Sequence, residues 1–269
     1  WLAAHAHGIR QALAFYELYT DEEGLVLELP FGNWEDSLLF TGARAFTNLM
    51  YLEALRRAKD MLSALGLHAE RPEAAAEMIE AADEYSATFD KVYEPVFELL
   101  NTQRDTMSIG LAAFWFPAEG RINQWIGEML ADGRPDTMPV NRWPIPPESE
   151  CSTILRILGQ GGYHLSFRWA HVGCCWAAAL LERGFREEGV AVLERFERAV
   201  GRFGTVHEVF DADDENPVSR AMYGSETQFS MGIGMYLYAQ ARKGGDIEKQ
   251  LAAEPNGHVT SGVDVPVAT

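Results

Sequence analysis

The chain has 269 residues, 47% of them hydrophobic and 23% charged, with a formal net charge of −18 at pH 7. This composition is typical of a globular protein with a sizeable core, and the negative charge argues against partners such as nucleic acid or an anionic membrane surface. No apolar run reaches the roughly 18 residues that a membrane span requires, and no signal peptide is evident, so we expect a cytoplasmic protein.

In chain order, apolar residues at helical spacing predict a series of helices. They cover Trp1 to Tyr19, Phe40 to Leu65, Pro72 to Leu100, Arg104 to Phe116, Pro117 to Leu130, Tyr163 to Arg183, Glu187 to Arg202 and Met222 to Arg242. A short strand or extended segment is predicted at Leu25 to Pro30, and five prolines exclude regular helix between Ala131 and Gly162. We therefore predict an all-α domain over residues 1–243, followed by a mobile tail over residues 244–269.

The predicted helices alternate in character. Apolar helices, such as Arg104 to Phe116 and Tyr163 to Arg183, are each followed by an amphipathic helix with many charges. Buried apolar helices surrounded by amphipathic ones form an α/α arrangement. The loops that enter the buried helices are then expected to meet at one rim of the domain.

Two acidic motifs lie in such loops. FGNWEDS places Glu35 and Asp36 beside Trp34, and GTVHEVFDADDENP places Glu208 beside apolar residues such as Phe210. Two carboxylates that face each other across a pocket are the minimum chemistry for cleaving a glycosidic bond. Burial against Trp34 would keep a general acid protonated, while Glu208 would act as the general base for water.

A structural interpretation of each motif stays open at this point. Glu35 or Asp36 could cap the helix that follows, because acidic side chains favour helix N-termini. Glu208 could belong to a solvated acidic turn, which is the interpretation we prefer for Asp213 to Glu215.

Aromatic and basic residues cluster at the start of the helix predicted from Tyr163. Tyr163, His164, Arg168 and Trp169 could bind a sugar through ring stacking and hydrogen bonds to hydroxyls. Trp115 could also line the pocket. An ordinary aromatic core is the alternative for the whole group.

The sequence predicts neither a metal site nor a cofactor. His164 and His171 are seven residues apart, which suits a zinc pair less well than a spacing of four. The three cysteines, Cys151, Cys174 and Cys175, show no metal-ligand spacing and no disulfide framework, so we expect small buried hydrophobic side chains.

With these residues in view, the chain resembles the six-hairpin (α/α)6-barrel glycosidases. WEDS, followed by FTNLMYLEALRRAKDMLSALG, resembles the segment in which a loop with a Trp and an acidic residue precedes a helix. Glucoamylases carry Trp-Glu-Glu there and glycogen-debranching enzymes carry Trp-x-Asp, so the resemblance implies that either Glu35 or Asp36 is the general acid. The debranching pattern favours Asp36 narrowly.

The later motifs carry the same resemblance. GTVHEVFDADDENP is similar to the segment whose Glu is the general base, which implies that role for Glu208. SETQFSMGIGMYLYAQA looks like the inner helix that follows it. The family's Asn-Gly-Gly-x-Trp is replaced here by GGYH, beginning at Gly161. The resemblance covers Leu25 to Ala241 and implies an (α/α)6 toroid.

The predicted function is therefore an inverting glycoside hydrolase acting on a neutral, α-linked glucoside or oligosaccharide. Only eight or nine helices are visible where a full barrel has twelve, so we expect an N-terminally truncated toroid whose partner is the preceding part of the same polypeptide. The alternatives are a non-catalytic carbohydrate-binding α/α protein and a sugar epimerase that would use His164, His171 or His207.

Overall fold

A computed structural model describes residues 2–29, 38–69, 71–131, 148–211, 216–220 and 223–244. These residues are mostly helical, as predicted for an all-α protein. They form nine α-helices: α1 (Leu2–Glu17), α2 (Ala45–Leu67), α3 (Pro72–Thr102), α4 (Thr106–Trp115), α5 (Arg121–Ala131), α6 (Thr153–Ile157), α7 (Ala170–Glu182), α8 (Arg186–Phe203) and α9 (Ser230–Lys243).

Local sequence signals account for several helix ends. Pro72 lies in the first turn of α3, where its missing N–H group costs nothing. Asp105 caps α4, since its side chain accepts a hydrogen bond of 2.7 Å from the backbone N–H of Ser108. Gly204 ends α8 in the left-handed conformation, with φ of 70°, which a residue with a side chain adopts only at a cost.

Four helices begin later than the sequence predicts, α2 at Ala45, α5 at Arg121, α7 at Ala170 and α9 at Ser230. The predictions were wrong at these ends because an apolar residue in a short extended segment has the same composition as one in a first helical turn. The stretch predicted to be irregular also contains a 3-10 turn at Glu148–Glu150 and the short helix α6.

Short antiparallel strands fasten the loops that precede the helices. The strands are β1 (Leu27–Glu28), β2 (Gly42–Ala43), β3 (Arg168–Trp169), β4 (Val209–Phe210), β5 (Ser219–Arg220) and β6 (Tyr223–Gly224). They pair as β1 with β2, β3 with β4 and β5 with β6. In the β3–β4 ladder Arg168 lies opposite Phe210 and Trp169 opposite Val209, so the entrance to α7 is tied to the segment that follows α8.

Four helices, of which α4 and α7 are the most apolar, pack in a row. α2 contacts α4, α4 contacts α7, and α7 contacts α9. The amphipathic helices lie beside this row, with α3 on α2, α5 on α4 and α8 on α7. The alternation of apolar and amphipathic helices predicted from the sequence is therefore present as helix pairs.

Helix α7 is the centre of the row. Every residue from Ala170 to Leu180 is buried, including Cys174 and Cys175, as predicted for these two cysteines. Gly110 of α4 allows the close approach to α7, because a Cβ atom there would stand 3.1 Å from the Sγ atom of Cys175. Gly189 does the same for α8, where a Cβ atom would stand 2.9 Å from the Leu181 side chain.

Large apolar side chains remain exposed on α1 and α9. The exposed fraction is 55% for Phe15 in α1 and 79% for Leu18, which directly follows that helix. On α9 it is 55% for Met231 and 60% for Leu237. Both helices therefore present large apolar side chains to solvent. Their exposure gives each end of the row a surface that favours association.

Candidate active site

One pocket, with a volume of about 440 Å³, lies at the entrances of the buried helices. The described side chains that line it are those of Phe46, Met107, Tyr163, His164, Trp169, His171, Glu208, Phe229 and Met231. Its size and its mixture of aromatic rings with a few polar groups are typical of small-molecule sites.

Four helices begin at this pocket. Phe46, Met107, His171 and Met231 are each the second residue of their helix, in α2, α4, α7 and α9 respectively. The helices of the row therefore all present their N-terminal ends to the pocket. Because the N-terminal end of a helix carries a partial positive charge, this arrangement favours a carboxylate at the pocket.

Glu208 is held by its backbone between two neighbouring segments. Its N–H group donates to the carbonyl of Glu226, and its own carbonyl accepts from the N–H group of Ala170, both at 2.9 Å. Ala170 is the first residue of α7, so these bonds fix Glu208 at the entrance of that helix. The side chain is half-buried and reaches the pocket.

Tyr223 orients the carboxylate of Glu208. Its hydroxyl donates a hydrogen bond of 2.7 Å to the Oε2 atom of Glu208. Burial, followed by the hydrogen bonds with Glu208 and Tyr163, raises the pKa of Tyr223 well above its ordinary value. The hydroxyl therefore keeps its proton and stays a donor throughout the neutral pH range.

The predicted aromatic residues form one wall of the pocket. The rings of His164 and Trp169 stack at 4.9 Å between centroids, with an angle of 8° between their planes. Tyr163 meets both rings edge to face, at 4.6 Å from His164 and 4.8 Å from Trp169. The Nε1–H group of Trp169 donates to the carbonyl of Tyr163 at 2.8 Å, which locks the wall in place.

His171 adds a neutral polar group to this wall. Only 5% of its surface is exposed, and burial lowers its pKa from the ordinary 6.5 to about 4. Its ring lies edge to face against Trp169, with centroids 5.7 Å apart, and contacts Phe229 at 5.6 Å. At neutral pH the imidazole is uncharged, so it can both donate and accept hydrogen bonds.

Two predicted substrate-binding residues do not line the pocket. Arg168 precedes Trp169 in β3, and since successive residues of a strand point to opposite faces, only Trp169 reaches the pocket. Trp115 is the last residue of α4, whereas the pocket lies at the first turn of that helix, and its ring packs against the main hydrophobic core.

Trp34, Glu35 and Asp36 lie outside the described residues, as does the acidic segment Asp213 to Glu215. The described chain resumes at Leu38, which lies opposite Cys151 in an antiparallel bridge and is buried in a cluster with Leu165. Leu165 directly follows the pocket residue His164. The chain after the predicted general acid is therefore fastened beside the pocket wall.

Several pocket residues were not predicted from the sequence. Phe46, Met107, Phe229 and Met231 were not predicted to line a site, although Phe46, Phe229 and Met231 lie within the segments that carry the family resemblance. Phe46, Met107 and Met231 share one signal, because each is the second residue of a helix. Tyr223 had no such signal. It approaches Glu208, fifteen positions earlier in the chain, through the β5–β6 ladder.

A comparison with protein-family models and with curated proteins finds no significant match for the chain. Among the described residues, no group of three or more His, Cys, Asp and Glu side chains could hold a metal ion. None of the described helices is both long and apolar enough to cross a membrane.

Proposed function

We propose that the protein is an inverting glycoside hydrolase that cleaves a neutral, α-linked glucoside or oligosaccharide. The observation that carries the proposal is the placement of Glu208. Its carboxylate is fixed by Tyr223 and lines a pocket whose wall is built from Tyr163, His164 and Trp169. Aromatic rings can stack on the apolar faces of a sugar, and a carboxylate beside them can activate water.

The helix arrangement supports the proposed fold. We interpret α2, α4, α7 and α9 as inner helices of an (α/α)6 toroid, with α3, α5 and α8 as outer helices. The inner helices would run in the same direction, since all four begin at the pocket. A catalytic site at the N-terminal ends of the inner helices follows from that geometry.

The charges of the pocket support an uncharged substrate. No Lys or Arg is among the described residues that line the pocket, whereas Glu208 is. An anionic sugar would meet no cationic side chain among them, and it would be repelled by the Glu208 carboxylate, which already lies at the partly positive ends of the four helices. A neutral sugar meets neither cost.

In the proposed reaction, Glu208 takes a proton from a water molecule. The oxygen of that water bonds to the anomeric carbon as the glycosidic bond breaks on the opposite face. The leaving oxygen takes a proton from the general acid, for which Asp36 is proposed and Glu35 is the alternative. For inversion, the two carboxyl groups should stand about 6.5–9.5 Å apart, which leaves room for the water.

The proposal is tested by replacing Glu208 in the full-length protein with Gln, which keeps the size of the side chain but cannot accept a proton. We expect kcat on an α-glucosyl oligosaccharide to fall by roughly 10²–10⁴-fold, as for the loss of a general base. Asp211→Asn is a matched control, because Asp211 follows the same strand but pairs with Arg220. Wild-type kcat in Glu208→Gln would exclude the proposed base.

The same experiment separates the alternatives. A protein that binds oligosaccharides without turnover would be a carbohydrate-binding protein on the same frame. The epimerase hypothesis is favoured by one observation, namely that both His164 and His171 line the pocket. Formation of an isomeric reducing sugar without hydrolysis, detected by NMR, would support an epimerase and exclude the hydrolase.

A further inference from the structure

We infer that Tyr223 is a positioning residue, which holds the Oε2 atom of Glu208 so that the Oε1 atom is the one that accepts the proton of the attacking water. The inference rests on the proposed function of Glu208. It goes further in assigning different roles to the two carboxylate oxygens, and it gives a role to a residue outside every sequence motif of the chain.

The contact between Tyr223 and Glu208 has the geometry of a strong hydrogen bond. The distance of 2.7 Å from the Tyr223 hydroxyl to Oε2 is that of a strong hydrogen bond to a charged acceptor. A carboxylate with one oxygen held in this way loses most of its rotation about the terminal bond. The Oε1 atom is then left with a fixed direction, which a general base requires.

The Tyr223 ring is itself held in place by its neighbours. It meets the ring of Tyr163 edge to face, at 5.3 Å between centroids, and it packs against a buried cluster that includes Val209 and Val218. Because the ring is anchored by a buried cluster, the Tyr223 hydroxyl can orient the Glu208 carboxylate. A hydroxyl on a mobile side chain would instead move with the carboxylate.

The backbone on both sides of Tyr223 is anchored by hydrogen bonds. Val218 donates through its N–H group to the carbonyl of Val209 at 3.1 Å, and Ser225 donates in the same way to Val218 at 2.8 Å. The Oγ atom of Ser225 in turn accepts from the N–H group of Val209 at 2.9 Å. The strand that follows Glu208 and the strand that carries Tyr223 are therefore one hydrogen-bonded unit.

The proton balance excludes an acidic role for Tyr223 itself. Burial and the neighbouring carboxylate raise its pKa, so the phenol proton remains on Tyr223. In the proposed step the water proton goes to the Oε1 atom of Glu208, and the Tyr223 hydroxyl continues to donate to Oε2.

The chain supplies a matched control. Tyr236 donates its hydroxyl to the carboxylate of Glu197 at 3.2 Å, which is the same chemical contact outside the pocket. Removal of either hydroxyl as Tyr→Phe deletes one oxygen and keeps the ring. Any difference in kcat between Tyr223→Phe and Tyr236→Phe is then due to the location of the Tyr223 contact at the pocket.

The test compares Tyr223→Phe and Tyr236→Phe with the wild type in the full-length protein, using an α-glucosyl oligosaccharide as substrate. For Tyr223→Phe we expect kcat to fall roughly 10–100-fold, as for the loss of a hydrogen bond to a charged group, with KM changed by less than about threefold. Tyr236→Phe should match the wild type.

The split between kcat and KM separates positioning from a structural effect. Loss of the orientation of Glu208 should lower kcat and leave KM nearly unchanged, whereas a disturbance of the pocket as a whole should also raise KM. The other polar side chains that line the pocket with Glu208 are Tyr163, His164 and His171, and all three are unchanged in both variants.

A double variant distinguishes the two proposals. When Glu208→Gln and Tyr223→Phe are combined, the residual kcat should fall little below that of Glu208→Gln alone, because the two residues act as one unit. Wild-type kcat in Tyr223→Phe, together with an inactive Glu208→Gln, would overturn the inference alone. Full activity in Glu208→Gln would overturn the proposed function.

Discussion

At the scale of the residue, burial sets the charge of the side chains around the pocket. His171 is nearly fully buried between Trp169 and Phe229, and its pKa in the folded protein is about 4. The imidazole is therefore neutral under conditions in which an exposed histidine would be partly charged. Protonation of this buried imidazole is unfavourable in the folded protein, so it lowers the free energy of unfolding at acidic pH.

His171 gives a pH-dependent prediction. Its pKa is lower in the folded than in the unfolded chain, so the unfolded state binds more protons between about pH 6.5 and about pH 4. The stabilising contribution is fully present above pH 6.5 and is lost as pH falls toward 4. Between pH 7 and pH 4.5 the wild type should lose about 2 kcal/mol more unfolding free energy than His171→Gln.

Urea unfolding at the two pH values measures this difference. His68→Gln, the same substitution at an exposed position just after α2, controls for the removal of an imidazole ring as such. Equal pH dependence in the wild type and in His171→Gln would contradict the assignment of a buried neutral imidazole.

Asn48 gives a second prediction at this scale. It is fully buried in α2, where its side chain accepts from the N–H group of Val26 at 2.7 Å and donates to the carbonyl of Val26 at 3.0 Å. Asn48→Leu would leave both backbone groups without a partner in the core, so we expect a loss of about 3 kcal/mol in unfolding free energy. Asn123→Leu, at an exposed position of α5, should change it by less than about 0.5 kcal/mol. Chemical denaturation of both variants decides the matter, and equal losses would refute the role of Asn48.

At the scale of the element, the sequence was informative about the middles of helices and poor about their starts. Helical periodicity persists along α3 and α8, so both were predicted within a few residues. Before α7 the chain is extended because β3 pairs with β4, and that pairing joins residues about forty positions apart. A contact between residues so far apart in the chain leaves no signal in the local sequence. The contact of Tyr223 with Glu208, fifteen positions apart, could not be predicted for the same reason.

For the candidate site too, local sequence patterns predicted the segments involved but not the contacts between distant residues. Glu208 was found because a carboxylate among apolar residues is unusual in a loop, and Tyr163, His164 and Trp169 because aromatic residues cluster there. Arg168 shares that cluster in the sequence, but the alternation of strand β3 separates it from the pocket. The cluster of aromatic and basic residues identified this segment as part of the candidate site. Only the direction of the backbone in β3 showed which of its side chains face the pocket.

The packing of α4 on α7 gives a prediction for a pair of elements. A side chain at Gly110 would meet the Sγ atom of Cys175, so Gly110→Val should cost about 2–3 kcal/mol of unfolding free energy by overpacking. Gly127→Val is the matched control, because nothing lies within 4 Å of a Cβ atom at that helical position. Adding Cys175→Ala to Gly110→Val should recover part of the loss. Thermal melts with no difference between the two glycine variants would contradict the close approach.

At the scale of the whole molecule, the exposed apolar faces of α1 and α9 govern solution behaviour. We expect the 269-residue chain to associate despite its net charge of −18, since large apolar side chains exposed on α1 and α9 favour association. Leu18→Lys combined with Leu237→Lys should reduce the association, whereas Glu73→Lys, at an exposed position of α3, should not. Light scattering measures the mass, and a monodisperse wild-type monomer would show that these faces do not associate.

The row of helices that begin at one pocket also organises the proposed chemistry. Glu208 lies where the N-terminal ends of α2, α4, α7 and α9 meet, and Tyr223 fixes its carboxylate. The central claim is that this carboxylate delivers a nucleophile to the face of the sugar opposite the leaving group. Removal of the carboxylate should then leave room for a small anion, which can attack the anomeric carbon without a general base.

The most direct measurement is therefore chemical rescue of Glu208→Ala in the full-length protein, with α-glucosyl fluoride as substrate and sodium azide as nucleophile. The variant alone should be inactive, and azide should restore turnover with the β-glucosyl azide as the product identified by NMR. Loss of activity without rescue, or an α-glucosyl azide, would contradict the role of Glu208 as the general base of an inverting hydrolase.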